Sequence, residues 1–219
     1  MNNQSLNNAV VMCDFDGTIT NIDTAEKTLE LFAPPEWRGI ERGFEKGEVS
    51  FEDSLQKEYA LIEASPEKIL KTLDPITIVR PHFERLVQYC KSNGVPLMVV
   101  SGGLDFCIQH FLARDDWLNF LSIHAPTAQR TANGYNITLP KKFEPSSINF
   151  KEDLVNFHKG RGEKVFFIGN GTGDFPAAKE SQYAFAIKES KLAKLCRDSN
   201  VPCKEIEDFQ QVVEALSSF

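Results

Sequence analysis

Features that would mark a membrane, secreted or nucleic-acid-binding protein are missing from this 219-residue sequence. No uninterrupted apolar run is long enough to cross a bilayer, and the polar opening MNNQSLNN is unlike a signal peptide. The formal net charge of −7 argues against a surface for nucleic acid or anionic membrane. Internal repeats and low-complexity stretches are also absent. We therefore expect a globular protein with one sizeable core, with or without a small accessory domain.

The five cysteines show no C-x-x-C spacing, and the four histidines show no metal-ligand spacing. An odd and unpatterned set of cysteines is typical of reduced thiols in a cytoplasmic protein. We therefore expect a cytoplasmic protein with reduced thiols, either a monomer or a homodimer. Its acidity does not exclude an anionic small molecule, because a local pocket can be positive inside an acidic protein.

Short apolar runs are the clearest structural pattern in the chain. They are AVVMC (9–13), VPLMVV (95–100), KVFFIG (164–169) and YAFAI (183–187). Runs of this length fit strands that are buried on both faces of a parallel sheet. Helical patterns lie between them, at 81–94, 150–160 and 174–181. The alternation predicts an α/β fold with a Rossmann-like open parallel sheet.

A helical insertion interrupts this alternation at residues 21–78. Ser50 and Ser65 are suitable helix starts within it, the second because Pro66 follows. The sequence therefore predicts a core domain formed by 1–20 and 79–219, with a small helical cap between these two segments.

A second insertion, at residues 120–140, contains Asn133-Gly134 between strand-like flanks. This dipeptide predicts a β-hairpin. We expect the hairpin to widen the edge of the sheet, and we assign it no chemistry.

Polar residues follow three of the predicted strands, where ligands bind in open α/β sheets. The groups are Asp14 and Asp16, then Ser101-Gly102-Gly103, then Asn170 to Asp174, with Lys151 on the preceding helix. One carboxylate could attack phosphorus while the second serves as general acid and base. Because two acids would repel a phosphate dianion, such a site needs a divalent cation with oxygen ligands, and we expect Mg²⁺.

Three groups could hold the phosphate oxygens: the Ser101 hydroxyl, the backbone N–H of Gly102 and the Lys151 ammonium. Each site residue also has a structural interpretation. The acids could cap a turn, the Ser-Gly-Gly segment could be a plain turn, and Lys151 could be a solvated surface lysine.

Two features of the insertion leave alternatives open. Asp23 either caps a helix, with Glu26 completing a capping box, or contacts substrate. The aromatic cluster from Phe32 to Trp37 fits the core of the insertion better than a platform for substrate.

The motifs together resemble those of haloacid dehalogenase superfamily phosphatases with a C1-type helical cap. They are DFDGT (14–18), VVSGG (99–103), Lys151 and GNGTGD (169–174), in the expected order. The resemblance implies Asp14 as nucleophile and Asp16 as general acid/base. It also implies a Mg²⁺ site formed by Asp14, the Asp16 backbone carbonyl, position 170 and Asp174, and a small phosphorylated metabolite as substrate.

One position departs from that family pattern. Asn170 stands where relatives have an acid that ligates Mg²⁺, and an amide oxygen brings no charge. Weaker metal binding would follow, and a phospho-ligand-binding protein with little turnover is therefore an alternative to an enzyme. A two-component receiver domain fits less well, because receivers are compact and have no helical insertion.

Two kinds of phosphatase within the superfamily are most similar. The stretch GEVSFEDSLQK (47–57) resembles phosphoserine phosphatases, whereas FAPPEW (32–37) and SGGLDF (101–106) resemble the 2-hydroxy-3-keto-5-methylthiopentenyl-1-phosphate phosphatases of methionine salvage. Phosphoserine phosphatases have a carboxylate-binding arginine seven residues after the phenylalanine that corresponds to Phe51. Here that position is Glu58. An acid there favours the methionine-salvage substrate over phosphoserine, unless Lys57 or Arg42 replaces the arginine.

Overall fold

The computed structural model describes Leu6 and residues 8–219, and it places a six-stranded parallel sheet at the centre of this part of the chain. Its strands are β1 (Ala9–Cys13), β2 (Leu97–Val100), β3 (Ser122–His124), β6 (Lys164–Gly169), β7 (Tyr183–Ile187) and β8 (Cys203–Ile206). They lie side by side in the order β3-β2-β1-β6-β7-β8. A separate antiparallel pair consists of β4 (Thr127–Arg130) and β5 (Tyr135–Thr138).

Helices fill the connections between these strands. They are α1 (Thr24–Phe32), α2 (Trp37–Glu45), α3 (Phe51–Tyr59), α4 (Pro66–Leu73), α5 (Phe83–Asn93), α6 (Asp105–Leu112), α7 (Phe150–Gly160), α8 (Phe175–Glu180), α9 (Lys191–Asp198) and α10 (Gln210–Leu216). None of those described is both long and apolar enough to span a bilayer.

The apolar runs form the predicted strands because helices cover the sheet. Every residue of β1 and β2 is buried, and so is nearly every residue of β6. Three of the four predicted strands have the expected bounds, and the α/β fold with a parallel sheet is confirmed. The second strand begins two residues late, because Val95 N–H still bonds to Cys90 O at the end of α5 and Pro96 has no N–H to donate.

The segment between β1 and α5 contains four consecutive helices, α1 to α4. Ser50 and Ser65 cap α3 and α4 with their side chains, as expected. Buried apolar residues of this insertion, such as Trp37 and Leu55, belong to the same core cluster as the sheet. Its assignment as a separate cap domain over residues 21–78 remains a proposal.

The hairpin around Asn133-Gly134 forms, but the expectation that it widens the main sheet is wrong. Among the described residues, the hairpin strands pair only with each other. The main sheet ends at β3 on one side and at β8 on the other. The Tyr135 hydroxyl donates to Ala64 O at 2.8 Å, and an Arg130 guanidinium N–H donates to Glu63 O at 3.1 Å. These two hydrogen bonds hold the hairpin against the helical insertion.

A tight turn over Phe15–Ile19 follows β1 and carries two of the candidate site residues. Gly17 lies in this turn with φ +70°, which favours glycine. A Cβ atom at this position would also collide with Nδ2 of Asn170. Glycine therefore satisfies two constraints here, one in the backbone and one in the contact with the loop after β6.

Replacement of Gly17 by alanine separates these constraints when it is compared with Gly47→Ala. Gly47 also has positive φ, +74°, but a Cβ there would meet nothing within 4 Å. We expect Gly47→Ala to lower the free energy of unfolding by about 1–2 kcal/mol. Gly17→Ala should cost at least about 1 kcal/mol more, because Asn170 must move. Urea unfolding of both variants measures the difference, and equal losses would contradict the proposed contact.

Candidate active site

An ammonium group between two buried carboxylates forms the centre of the site. Asp14 directly follows β1, and its N–H bonds to Ile168 O at 2.9 Å, which fixes it between β1 and β6. Nζ of Lys151 lies 2.7 Å from Oδ1 of Asp14 and 2.6 Å from Oδ1 of Asp174. Lys151 is only 3% exposed. The structure thus brings these three predicted residues together, and the surface interpretation of Lys151 is excluded.

The start of α7 determines where Lys151 lies. The Asn149 side chain accepts hydrogen bonds from the N–H groups of Lys151 and Glu152, so it caps the helix. The same side chain donates to Gly173 O at 2.9 Å, which ties the cap to the loop after β6. Glu52 of α3 accepts the N–H of Phe150 at 2.9 Å. The helical insertion therefore helps to position the lysine.

The site carries more buried negative than positive charge. Burial and the neighbouring Asp174 carboxylate raise the pKa of Asp14 to about 7, although Lys151 opposes this shift. Burial alone would lower the pKa of Lys151, but the Asp14 and Asp174 carboxylates outweigh it, and the net pKa is raised. The lysine is therefore charged at neutral pH, and one ammonium faces two carboxyl groups.

Asp16 is held away from this ion pair by three donors. Its Oδ1 accepts bonds from the Thr24 hydroxyl and from Ala25 N–H, and its Oδ2 accepts one from the Ser101 hydroxyl at 3.1 Å. Burial raises the pKa of Asp16 in spite of these bonds. A raised pKa is a shift in the direction that a general acid requires.

The Ser101-Gly102-Gly103 segment differs from expectation in its bonding. The Ser101 hydroxyl donates to Asp16 and accepts the N–H of Gly103 at 2.9 Å, so it is already engaged within the protein. Gly102 lines the cavity, and its carbonyl accepts the Tyr59 hydroxyl of α3 at 2.8 Å. Ser101 thus orients Asp16 in this structure, and a direct contact with phosphate remains a prediction.

The loop after β6 is organised by Asp174. Its Oδ2 accepts the N–H groups of Asn170 and Gly171, both at 2.9 Å. The Thr18 hydroxyl lies 3.0 Å from Oδ1 of Asn170 and 3.1 Å from Oδ2 of Asp14. Oxygen atoms of Asn170 and Asp14 therefore converge on one hydroxyl, as the spacing of the two motifs predicts.

Arg80 supports the site but was not found by sequence reasoning. Its guanidinium donates to the carbonyls of Thr18 and Gly17, both at 2.8 Å, and also to Glu207 O at 3.3 Å. It therefore fixes the turn that carries Asp14 and Asp16. The only sequence signal was its position just after the insertion, which by itself is uninformative.

A cavity extends from the ion pair beneath the helical insertion. Asp23 lines it and also caps α1, since its Oδ1 accepts Glu26 N–H at 2.8 Å. Trp37 is 2% exposed and lines the same cavity, so the aromatic cluster contributes to the pocket as well as to the core. Neither Lys57 nor Arg42 is among its described lining residues.

Glu58 lines this cavity from α3 and is 8% exposed. Burial raises its pKa from an ordinary 4.5 to about 8, and the nearby Glu41 and Glu26 carboxylates add to the shift. Between these two pH values the folded protein binds more protons than the unfolded chain. The contribution of Glu58 to folding stability is therefore lost as pH rises from 4.5 towards 8.

Glu58→Gln removes this titration and leaves a side chain of similar shape. We expect the variant to match the wild type near pH 5 and to melt at a higher temperature near pH 9, because the wild type then buries a charge. Glu48→Gln, an exposed change in the same insertion, is the matched control. Thermal melts across this pH range test the prediction, and a difference in melting temperature that is independent of pH would contradict it.

Known proteins resemble this chain in sequence. The family model for haloacid dehalogenase-like hydrolases matches residues 11–179. A curated relative from Brevibacillus brevis, named 2-hydroxy-3-keto-5-methylthiopentenyl-1-phosphate phosphatase, is 27% identical, with 94% of each chain covered.

Solved structures share the fold at lower identity. A HAD-family hydrolase from Salmonella enterica serovar Typhi aligns with a TM-score of 0.71 at 19% identity, over 94% of this chain and 70% of the other. A phosphoserine phosphatase from T. onnurineus aligns with a TM-score of 0.67 at 18% identity, over 99% and 97%. Since the family model also covers most of the sequence, the chain belongs to the haloacid dehalogenase-like hydrolase family.

Proposed function

We propose that this hydrolase is a Mg²⁺-dependent phosphomonoesterase that acts on a small phosphorylated metabolite through an aspartyl-phosphate intermediate. The observation that carries the proposal is the buried cluster of Asp14, Lys151 and Asp174 at the carboxyl ends of β1 and β6. A nucleophilic carboxylate, an acid beside it and a fixed cation are the groups that this chemistry requires. The phosphatase names of the relatives support the same reaction class.

In this mechanism the Asp14 carboxylate attacks phosphorus, and the bond from phosphorus to the ester oxygen breaks. Asp16 gives its proton to that departing oxygen. The Asp16 carboxylate then takes a proton from water, whose oxygen attacks the phosphorus of the aspartyl phosphate and releases inorganic phosphate. Lys151 keeps Asp14 in place and offsets negative charge on the phosphoryl oxygens. The bonds to Thr24 and Ser101 hold Asp16 in one orientation for both proton transfers.

The residues present fit a divalent cation. Asp14 and Asn170 present oxygen atoms to the same Thr18 hydroxyl, and Asp14 lies in a site with an excess of buried negative charge. Within the described residues, no three Asp, Glu, His or Cys side chains form a metal-binding group, so amide and backbone oxygens must contribute. Asp14, Asn170, Asp174 and the Asp16 carbonyl would hold the ion. A bound Mg²⁺ would neutralise charge on the phosphate and so permit approach of the carboxylate.

For the substrate, the curated relatives provide the first candidate, 2-hydroxy-3-keto-5-methylthiopentenyl-1-phosphate. Phosphoserine is the alternative, because several solved structures of this fold are phosphoserine phosphatases. The excess of acidic side chains in the cavity argues against it, since they disfavour a substrate carboxylate. A phospho-ligand-binding protein with little turnover is the second candidate function, and Asn170 is the residue that favours it.

Substitution of the two motif aspartates tests the proposed reaction. We expect Asp14→Asn to abolish release of phosphate from an aryl phosphate in the presence of Mg²⁺, because the nucleophile is lost. Asp16→Asn should lower kcat by about 10²–10⁴-fold, the usual contribution of proton transfer. Vanadate should inhibit the wild type. Asp198→Asn, an exposed change on α9, is the control and should retain activity. Wild-type rates in either motif variant would rule out the mechanism.

Asn170→Asp tests the metal site. The change adds one negative charge beside Thr18 and Asp14, so half-saturation by Mg²⁺ should move to lower concentration, on the order of tenfold. The rate itself can move in either direction, because the added charge also repels the phosphate. Titrations of activity with Mg²⁺ compare the two proteins. Superimposed titration curves would mean that Asn170 does not line the metal site.

A further inference from the structure

The cavity beside the ion pair is strongly acidic beyond the residues that perform the chemistry. Its volume is about 280 Å³, and acidic side chains outnumber basic ones by eight to two among its described lining residues. Both of the lysines are already paired. Lys151 binds Asp14 and Asp174, whereas Lys191 lies 2.7 Å from Glu45 and 3.3 Å from Glu41. A second anionic group on a ligand would therefore find no unpaired cation among these residues.

Glu58 is the buried acid of this cavity that the proposed chemistry does not use. No hydrogen bond or salt bridge from the described residues satisfies its carboxyl group, although the side chain is more than nine-tenths buried. The charged groups nearest to it electrostatically are Glu41 on α2 and Glu26 on α1, both of the same sign. Its carboxyl oxygens are not among the side-chain atoms that are both shielded from solvent and unpaired, so a donor that arrives with a ligand can reach them and would be favoured.

The other walls of the cavity fit a small organic group. Leu29, Phe44 and Leu55 contribute apolar surface. Trp37 lines the cavity too, and its Nε1–H is buried with no acceptor among the described residues. Glu58 thus offers the cavity an acceptor that no donor of the described residues meets, whereas the Trp37 N–H is shielded from solvent. Ligands that satisfy an unpaired polar group are strongly preferred over analogues that do not.

We propose that Glu58 selects the substrate by accepting a hydrogen bond from the organic part of the phosphate ester, with an ammonium group favoured over a hydroxyl, and that the excess of acids around it rejects a carboxylate. This inference rests on the proposed phosphatase function, which it extends by naming the class of ester. A hydroxyl-bearing ester such as the one named for the curated relatives satisfies the donor requirement without a charge. An amino-alkyl phosphate satisfies it and also offsets the excess of acids.

The preference has a signature in its pH dependence. As pH rises through about 8, the Glu58 pKa in the free protein, the group becomes a carboxylate and attracts a cation more strongly. The ionisable groups that line the cavity around it are Glu26, Glu41, Glu45, Asp23, Asp16, Asp14, Asp174, Tyr59, Lys151 and Lys191. Effects of pH on the shared chemistry cancel in the ratio of kcat/KM for two esters whose phosphates are ionised alike. The difference in that ratio between the wild type and Glu58→Gln then reports the ionisation of Glu58.

Four two-carbon esters that differ in one terminal group provide the test: 2-aminoethyl phosphate, 2-hydroxyethyl phosphate, ethyl phosphate and phosphoglycolate. Phosphate release with Mg²⁺ gives kcat/KM for the wild type, Glu58→Gln and the control Glu48→Gln. We expect the four to rank in the order given, with the amine at least about 100-fold above phosphoglycolate in wild type. At about pH 9, where Glu58 is a carboxylate, Glu58→Gln should reduce that ratio by about tenfold or more, whereas Glu48→Gln should preserve it. The ratio of amine to hydroxyl ester should rise between about pH 6.5 and about pH 9 in the wild type and in Glu48→Gln, and should rise less in Glu58→Gln.

Calorimetric binding of the same esters to Asp14→Asn, without turnover, separates this inference from the proposed function. If no ester and no aryl phosphate is hydrolysed, the proposed function fails, and the order of the dissociation constants still decides the role of Glu58. The inference is overturned if phosphoglycolate equals or exceeds the amine in the wild type. It is also overturned if Glu58→Gln, with circular dichroism like that of the wild type, leaves the ratio unchanged at about pH 9.

Discussion

The double ion pair of Lys151 is the interaction on which the site depends. One ammonium joins the end of β1, through Asp14, to the loop after β6, through Asp174. A buried ion pair pays a large desolvation penalty, and loss of one partner leaves an uncompensated charge. Here Asn149 fixes the start of α7 and binds the loop after β6, so Lys151 is held beside both carboxylates.

This constraint also divides the cavity by charge. Around Lys151, one lysine cannot balance the acids, so under the proposed function a divalent cation would offset the remaining charge before a phosphate dianion could bind. Around Glu58, the lining adds further acidic groups with no free base among the described lining residues. The proposals therefore require a ligand with two unlike parts, an anionic head and a donor-bearing, carboxylate-free organic group. Electrostatic complementarity of this kind discriminates between similar esters.

The sequence predicts those parts of the fold that local patterns encode. AVVMC, KVFFIG and YAFAI have the observed strand bounds because strands buried on both faces read as continuous apolar runs. The strand-end motifs converge because parallel strands end at one edge. What could not be predicted depends on distant contacts. β8 is partly exposed and polar, so it does not show as an apolar run. The position of the hairpin depends on its bonds to Ala64 and Glu63. Arg80 acts through carbonyls of a turn some sixty residues earlier in the chain.

The glycines around the site show how the insertion and the core constrain each other. Gly102 and Gly173 do not have positive φ, so backbone conformation does not require glycine at either position. A Cβ on either would come within 3.0 Å of the Phe51 ring, which also lies 5.8 Å from Nζ of Lys151. The small residues are thus needed because α3 packs directly on two strand-end loops, where Tyr59 also bonds to Gly102. Since α3 carries Phe51, Tyr59 and Glu58, the helix that packs on the candidate site also carries the acid that we propose meets the organic group. Under that proposal, a displacement of α3 would alter selectivity and access to the reacting atoms together.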